Sequence, residues 1–216
     1  MSELVRLLRE RGVLEKTVLV VTSDHGEALG ERGYVWHGTS VYPETTHIPL
    51  LVRFPGGLGG GTRISALTQT IDVMPTLLHV LGAPSGAKEI QGQSLVPLLT
   101  GETDRLHDYV FARTFGDEAQ YMMRGSEWAL LLLRGGRGRV LYDLEADPGQ
   151  TRNAAPYESQ RLYAMLRAFQ EHAEQQRVPP VQFVNPHAKP PRLPAAKEVE
   201  TTDRDRRQLR ALGYLR

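Results

Sequence analysis

Hydrophobic and polar positions change texture three times along the chain. The first stretch, Ser2 to Glu10, spaces Leu4, Val5, Leu7 and Leu8 along one helical face. Ser2 is placed to cap that helix and Gly12 to stop it. Thr17-Val-Leu-Val-Val-Thr22 is then an unbroken β-branched and aliphatic run. Such a run predicts a strand covered on both faces, of the central parallel type. Ile48 to Phe54 predicts a second strand. Pro49 must sit at its start because it has no N–H for a ladder. Asp72 is placed to cap a helix through Leu81 that ends at Gly82, and Ser94 to cap Leu95 to Leu99.

From Asp108 the pattern shortens. Four brief runs follow: Asp108 to Phe115, Gln120 to Arg124, Glu127 to Leu133 and Arg139 to Leu144. Gly125-Ser126 and Arg134-Gly-Gly-Arg-Gly138 supply turns, which predicts an antiparallel meander. Tyr157 to Arg177 then returns to helical spacing, with Leu162, Met165, Leu166 and Phe169 on one face. Six of the 14 prolines lie between Pro179 and Pro194, so residues 178–216 read as an extended tail. The expected organisation is a unit at 1–104, a smaller one at 105–177, and that tail.

Composition narrows the function classes. In 216 residues, 26 Lys and Arg oppose 25 Asp and Glu, for a net charge of +1. A nearly neutral chain argues against a dedicated nucleic-acid binder. Asp203 and Asp205 interrupt the arginines near the C-terminus, which fits a solvated helix face better than a nucleic-acid contact. No apolar run approaches the ~20 residues of a membrane span. There is no cysteine, so thiolate catalysis and Cys-ligated metal sites are excluded. The first ten residues have no signal-peptide core.

The candidate chemistry follows the first aliphatic strand. Ligands collect at the carboxyl ends of strands in open α/β sheets. There, Asp24 offers carboxylate oxygen and His25 an imidazole nitrogen, both donors for a divalent cation. Neighbours in a strand point to opposite faces, so sharing one ion requires a turn, which Gly26 permits. His37, a dozen residues on, can fold back to hold an anionic oxygen or protonate a leaving group. Turn chemistry with structural histidines fits the same spacing. Glu27 and Glu31 read as solvated, Tyr42 and Glu44 as loop-positioning, and His47 and His79 as structural. Gly56 to Gly61 has no phosphate-loop signature and reads as a flexible hairpin connection.

Several segments, in order, resemble the C-terminal part of the sulfatase family of the alkaline-phosphatase superfamily. They are Thr17 to Glu27, His37-Gly-Thr-Ser-Val-Tyr-Pro-Glu44, Ile48 to Gly56, Ile71-Asp-Val-Met-Pro-Thr-Leu-Leu78, Gly92 to Gly101, and Leu141-Tyr-Asp-Leu-Glu-Ala-Asp-Pro-Gly-Gln150. The resemblance implies an α/β fold. It would hold a partial alkaline-phosphatase-like mixed sheet with flanking helices, then a small four-stranded antiparallel sheet with a packed helix. It implies Asp24 and His25 as metal ligands and His37 as a contact to sulfuryl or phosphoryl oxygens. Calcium is the family's first implication, while an Asp–His pair also admits Mn²⁺ or Zn²⁺.

The family's nucleophile motif, C-x-P-S-R or S-x-P-x-R, has only the faint echo Gly82-Ala-Pro-Ser-Gly86 here. The expectation is therefore a C-terminal portion whose N-terminal half is a covalent or split partner, with little activity alone. Its substrate in the full-length form is a sulfate ester, or alternatively a phosphonate or phosphodiester. A non-catalytic association module is the competing class. Relatives of this type are often periplasmic or secreted.

Overall fold

The computed structural model describes residues 1–84, 90–115, 119–133 and 138–176. The expected tail, the turn residues 134–137 and the last two residues of the Gly82 to Gly86 echo lie outside the described residues.

The small sheet organises the molecule. Strands β5 (Val110–Arg113), β6 (Tyr121–Arg124), β7 (Trp128–Leu133) and β8 (Gly138–Asp143) pair antiparallel in chain order, as the meander pattern predicts. Side chains alternate across the sheet, so each strand serves two cores. Met123, Leu130, Leu132 and Leu141 pack against Leu162, Met165, Leu166 and Phe169 of α5 (Ser159–Gln175). Met122, Ala129, Leu131 and Tyr142 face the other way and pack on Val41 and Tyr42. Leu130, Leu131 and Leu132 have no exposure at all. Each such leucine contributes roughly 1.5–3 kcal/mol by leaving water. The continuous apolar run at Ala129 to Leu133 is thus a strand buried on both faces.

The aliphatic run at 17–22 is different. β1 (Leu19–Thr22) pairs antiparallel with β4 (Leu50–Arg53), in the register Val20 to Val52 and Val21 to Leu51. Its residues are half-buried or exposed, and Leu51 is 60% exposed. This corrects the expectation of a parallel strand covered on both faces. An aliphatic composition states what both faces tolerate; it fixes neither strand direction nor the presence of neighbours.

The other elements are short. Helix α1 (Ser2–Glu10) has no buried residue. Ser2 lies inside it and makes no capping bond, contrary to expectation; Arg6 pairs with Glu3 and Glu10 instead. β2 (Ala28–Leu29) and β3 (Val35–Trp36) form a small hairpin, followed by α2 (Pro43–Thr46). The glycine-rich stretch forms no hairpin; it opens with a 3₁₀ turn at Pro55–Gly57 that leads away from β4. α3 (Val73–Val80) and α4 (Val96–Thr100) follow. Ser94 Oγ accepts from Val96 N–H at 3.2 Å and meets His79 Nδ1 at 3.0 Å, so His79 is a structural residue. Among the described residues, no helix is long and apolar enough to cross a membrane.

Asp72 departs from its expected role. Its side chain does not cap α3. It is fully buried, and Oδ2 accepts from Gln69 N–H at 2.7 Å while Oδ1 accepts from Gln93 N–H at 2.9 Å. His107 Nε2 completes the group at 2.9 and 3.0 Å from the two oxygens. One carboxylate therefore joins the start of α3, the 91–95 segment and the approach to β5.

The last turn of α5 gives a pH prediction. His172 stacks on Phe111 with ring centroids 3.5 Å apart, and burial holds its imidazole below its ordinary value of 6.5. The unfolded chain then binds a proton more readily than the folded one. Stability is full above pH 6.5 and falls as pH drops below that value. Urea melts at stepped pH should show this loss, and His172→Phe should flatten that part of the profile. An unchanged profile would remove His172 as its source.

Candidate metal and substrate site

The backbone turns sharply after Thr22. Ser23 Oγ donates to the His25 carbonyl at 2.5 Å, and His25 N–H donates to Asp24 Oδ1 at 3.0 Å. Gly26 is then pressed against α2, its N–H donating to Thr45 O at 2.9 Å. A Cβ at Gly26 would lie 2.2 Å from Glu44 O, so only glycine fits this approach. The turn overcomes the strand's alternation and brings the Asp24 and His25 side chains together. Asp24 Oδ2 lies 3.6 Å from His25 Nε2.

The ring's protonation follows from its partner. His25 Nδ1 lies 2.8 Å from Gly26 O, and a carbonyl only accepts, so Nδ1 carries the proton. Nε2 then presents its lone pair toward Asp24. Imidazoles that bind metals are commonly held this way, by the other nitrogen's N–H. Asp24 is 85% exposed in its side chain, and its carboxyl sits below the usual range. The His25 backbone N–H is the main cause, with the backbone N–H of Asp24 itself adding to it. It is therefore ionised at neutral pH and free to take a cation.

This donor pair fits a divalent ion. At a 3.6 Å separation, the Asp24 carboxylate and the His25 imidazole would both reach a single divalent ion. The pair is only part of a shell. Among the described residues, no group of three or more His, Asp or Glu side chains closes on one point.

His37 arrives from the hairpin. Its ring stacks on His25 with centroids 4.2 Å apart. Nδ1 lies 3.1 Å from Glu27 Oε2, which makes it the donor and leaves Nε2 open. Glu27 is therefore not the solvated residue expected. Its side chain is three-quarters buried, and Oε1 is enclosed without a partner. Sequence spacing gave no hint, because the pairing depends on a hairpin that returns position 37 to position 27. Glu31 is exposed as expected, though Oε2 accepts from Leu29 N–H. Glu44 holds Arg32 at 3.2 Å, and Tyr42 packs in the core, which agrees with loop positioning. Asp24, His25 and His37 line one open groove, which continues past Gln69 and His107 to Phe111.

An aspartate–histidine pair thus stands at a strand end, beside a second histidine in an open groove. The fold that carries it is shared with proteins of the alkaline-phosphatase-like α/β class. The sulfatase family model matches residues 1–83. Bovine (Bos taurus) arylsulfatase K is 29% identical over 167 residues, covering 72% of this chain and 30% of its own length. The structure of BT4656 in complex with its substrate D-glucosamine-2-N,6-O-disulfate superposes with a TM-score of 0.72 at 25% identity. That likeness covers 84% of this chain and 39% of BT4656. Phosphonate monoester hydrolase from Silicibacter pomeroyi gives 0.70 at 27%, covering 84% and 38%. The chain is thus similar to the sulfatase family, and it spans about a third of the length of the curated relatives it matches.

Proposed function

We propose that this chain carries the metal-loop portion of a divalent-metal-dependent hydrolase of sulfate esters. Asp24 and His25 supply two metal ligands, and His37 contacts the oxygens of the transferred group. The observation that carries this reading is the 3.6 Å approach of Asp24 Oδ2 to a His25 Nε2 freed by the Gly26 carbonyl. A bound divalent ion supplies Lewis-acid stabilisation of the charge that develops on those oxygens. Within this chain, Asp24 stays ionised and His25 presents a lone pair. His37, steadied by Glu27 and by stacking on His25, directs Nε2 at an anionic oxygen or a leaving group.

Calcium is the first choice by family, and the imidazole donor also suits Mn²⁺ or Zn²⁺. Two donors bind any of them weakly, since Ca²⁺ takes 6–8 oxygens. The remaining ligands and the nucleophile then come from polypeptide beyond these 216 residues, joined covalently or supplied as a separate chain. Residues 1–104 form the core portion that bears the loop, and 105–177 the small sheet and helix that support it. The half-exposed β1–β4 pair and the apolar face of α1 suit burial against that complementary portion. The likeness to phosphonate monoester hydrolase supports a second substrate class, phosphonate or phosphodiester esters.

Manganese binding, followed by electron paramagnetic resonance, tests the ligand assignment. Binding should weaken at least tenfold in Asp24→Ala and in His25→Ala, with each variant still folded. Affinity that is unchanged in both would sink the assignment. The purified chain should hydrolyse aryl sulfates little or not at all. Turnover by the chain alone that Asp24→Ala abolishes would refute the need for a complementary portion.

A further inference from the structure

We infer that Arg32 is a positioning residue: it latches the hairpin that carries His37 to the turn after β8, and so sets the stacking of His37 on His25. This rests on the reading of His37 as a site residue and adds the device that holds it there.

The hairpin cannot hold itself in place. β2 and β3 have two residues each, and Glu27 and His37 flank them directly. Within Gly30 to Gly38, five residues have positive φ, and two of them, Arg32 (55°) and Trp36 (70°), are not glycine. Side chains with a Cβ avoid that region, so other contacts must impose it.

Arg32 makes those contacts. Nη1 donates to Gln150 O at 2.6 Å, and Nη2 donates to Gly149 O at 2.7 Å. Nε donates to Glu44 Oε1 at 3.2 Å, and the guanidinium carbon lies 4.6 Å from the Tyr42 ring centroid. A planar fork that spans two carbonyls, a carboxylate and a ring face at once is a geometry lysine does not offer.

The receiving end is equally fixed. Gln150 is buried and is itself left-handed, at φ 53°. Its N–H donates to Asp147 O, and the Asp147 carboxylate accepts from Thr151 and Arg152 N–H at 2.8 Å each. A strained residue therefore stands at each end of one contact between segments 118 positions apart. Both serve to bring the guanidinium to the carbonyls.

The test uses the metal-free chain with its histidine rings labelled. Stacked rings shift each other's protons upfield in nuclear magnetic resonance. In Arg32→Ala, the His25 and His37 ring signals should move toward unstructured positions. Hydrogen exchange at the Gly30 amide, which donates to Tyr34 O, should rise on the order of tenfold or more. Amides of β6 to β8 should keep their protection. Arg32→Lys should fall between, because an ammonium can keep one carbonyl but not the fork; it also serves if Arg32→Ala does not fold.

Ring signals that overlay those of the wild type would overturn the inference. So would a loss of protection across β6 to β8 in both variants, which would make Arg32 a general stabiliser. Because no metal is present, these outcomes are separate from the fate of the Asp24 and His25 assignment.

Discussion

Asp72→Ala is expected to cost ~3–5 kcal/mol, the range for removing one member of a buried charged or strongly polar group. Asp72 has no exposure, and three groups converge on it: the Gln69 and Gln93 backbone N–H groups and His107 Nε2. Alanine leaves all three without the acceptor they share. Asp72→Asn should cost less, about 1–3 kcal/mol. Its amide keeps one acceptor oxygen and turns a donor toward another donor. At this chain length a kilocalorie moves the melting temperature by roughly 2–4 °C, so Asp72→Ala should fall on the order of 10 °C. Thermal melts of the two variants check this. Equal, small shifts for both would mean that the Asp72 cluster relaxes around a cavity.

The same cluster shows where sequence reading stops. Asp72 before an apolar periodic run is the signature of an N-cap, and that placement is local. Its actual partners, Gln93 and His107, lie 21 and 35 positions away, and nothing in the local pattern names them. Arg32 is a stronger case, with acceptors 117 and 118 positions away. The small sheet, by contrast, is written locally. Short apolar runs with glycine turns give β5 to β8. The spacing of Leu162, Met165, Leu166 and Phe169 gives the face of α5 that covers them.

The site divides in the same way. Asp24 and His25 are legible because a polar pair follows an aliphatic strand and a glycine follows the pair. The role of Glu27 is not legible, because it depends on the return of the hairpin. The antiparallel direction of β1 is not legible for a related reason. Hydrophobicity reports burial demand, while pairing direction depends on a partner strand that starts 28 positions after β1 ends. The site thus rests on a scaffold the linear pattern does describe, through contacts it does not. Val41 and Tyr42 pack on one face of the sheet, and the Tyr42 hydroxyl meets that of Tyr142 at 3.3 Å. The segment just after His37 is thereby part of the sheet's own core.

Gly26→Ala should have the largest effect on the site itself. The new methyl would lie 2.2 Å from Glu44 O, 3.1 Å from Glu44 C and 3.2 Å from Thr45 Cα. All three are backbone atoms, so no side chain can swing aside and the loop must retreat from α2. That retreat breaks the bond from Gly26 N–H to Thr45 O and moves the carbonyl that orients His25. Overpacking of this kind typically costs ~1–3 kcal/mol. The larger consequence is for ion binding: manganese affinity should fall at least tenfold, because a displacement of about an ångström separates donors that must converge within tenths. Gly92→Ala is the matched control. Its methyl would lie 2.1 Å from Ile71 O, a clash of the same severity that does not touch the Asp24 loop. Both variants should lose stability in urea melts, and only Gly26→Ala should lose manganese. Equal manganese affinity in the two variants would show that the seat of Gly26 on α2 does not set the Asp24–His25 geometry.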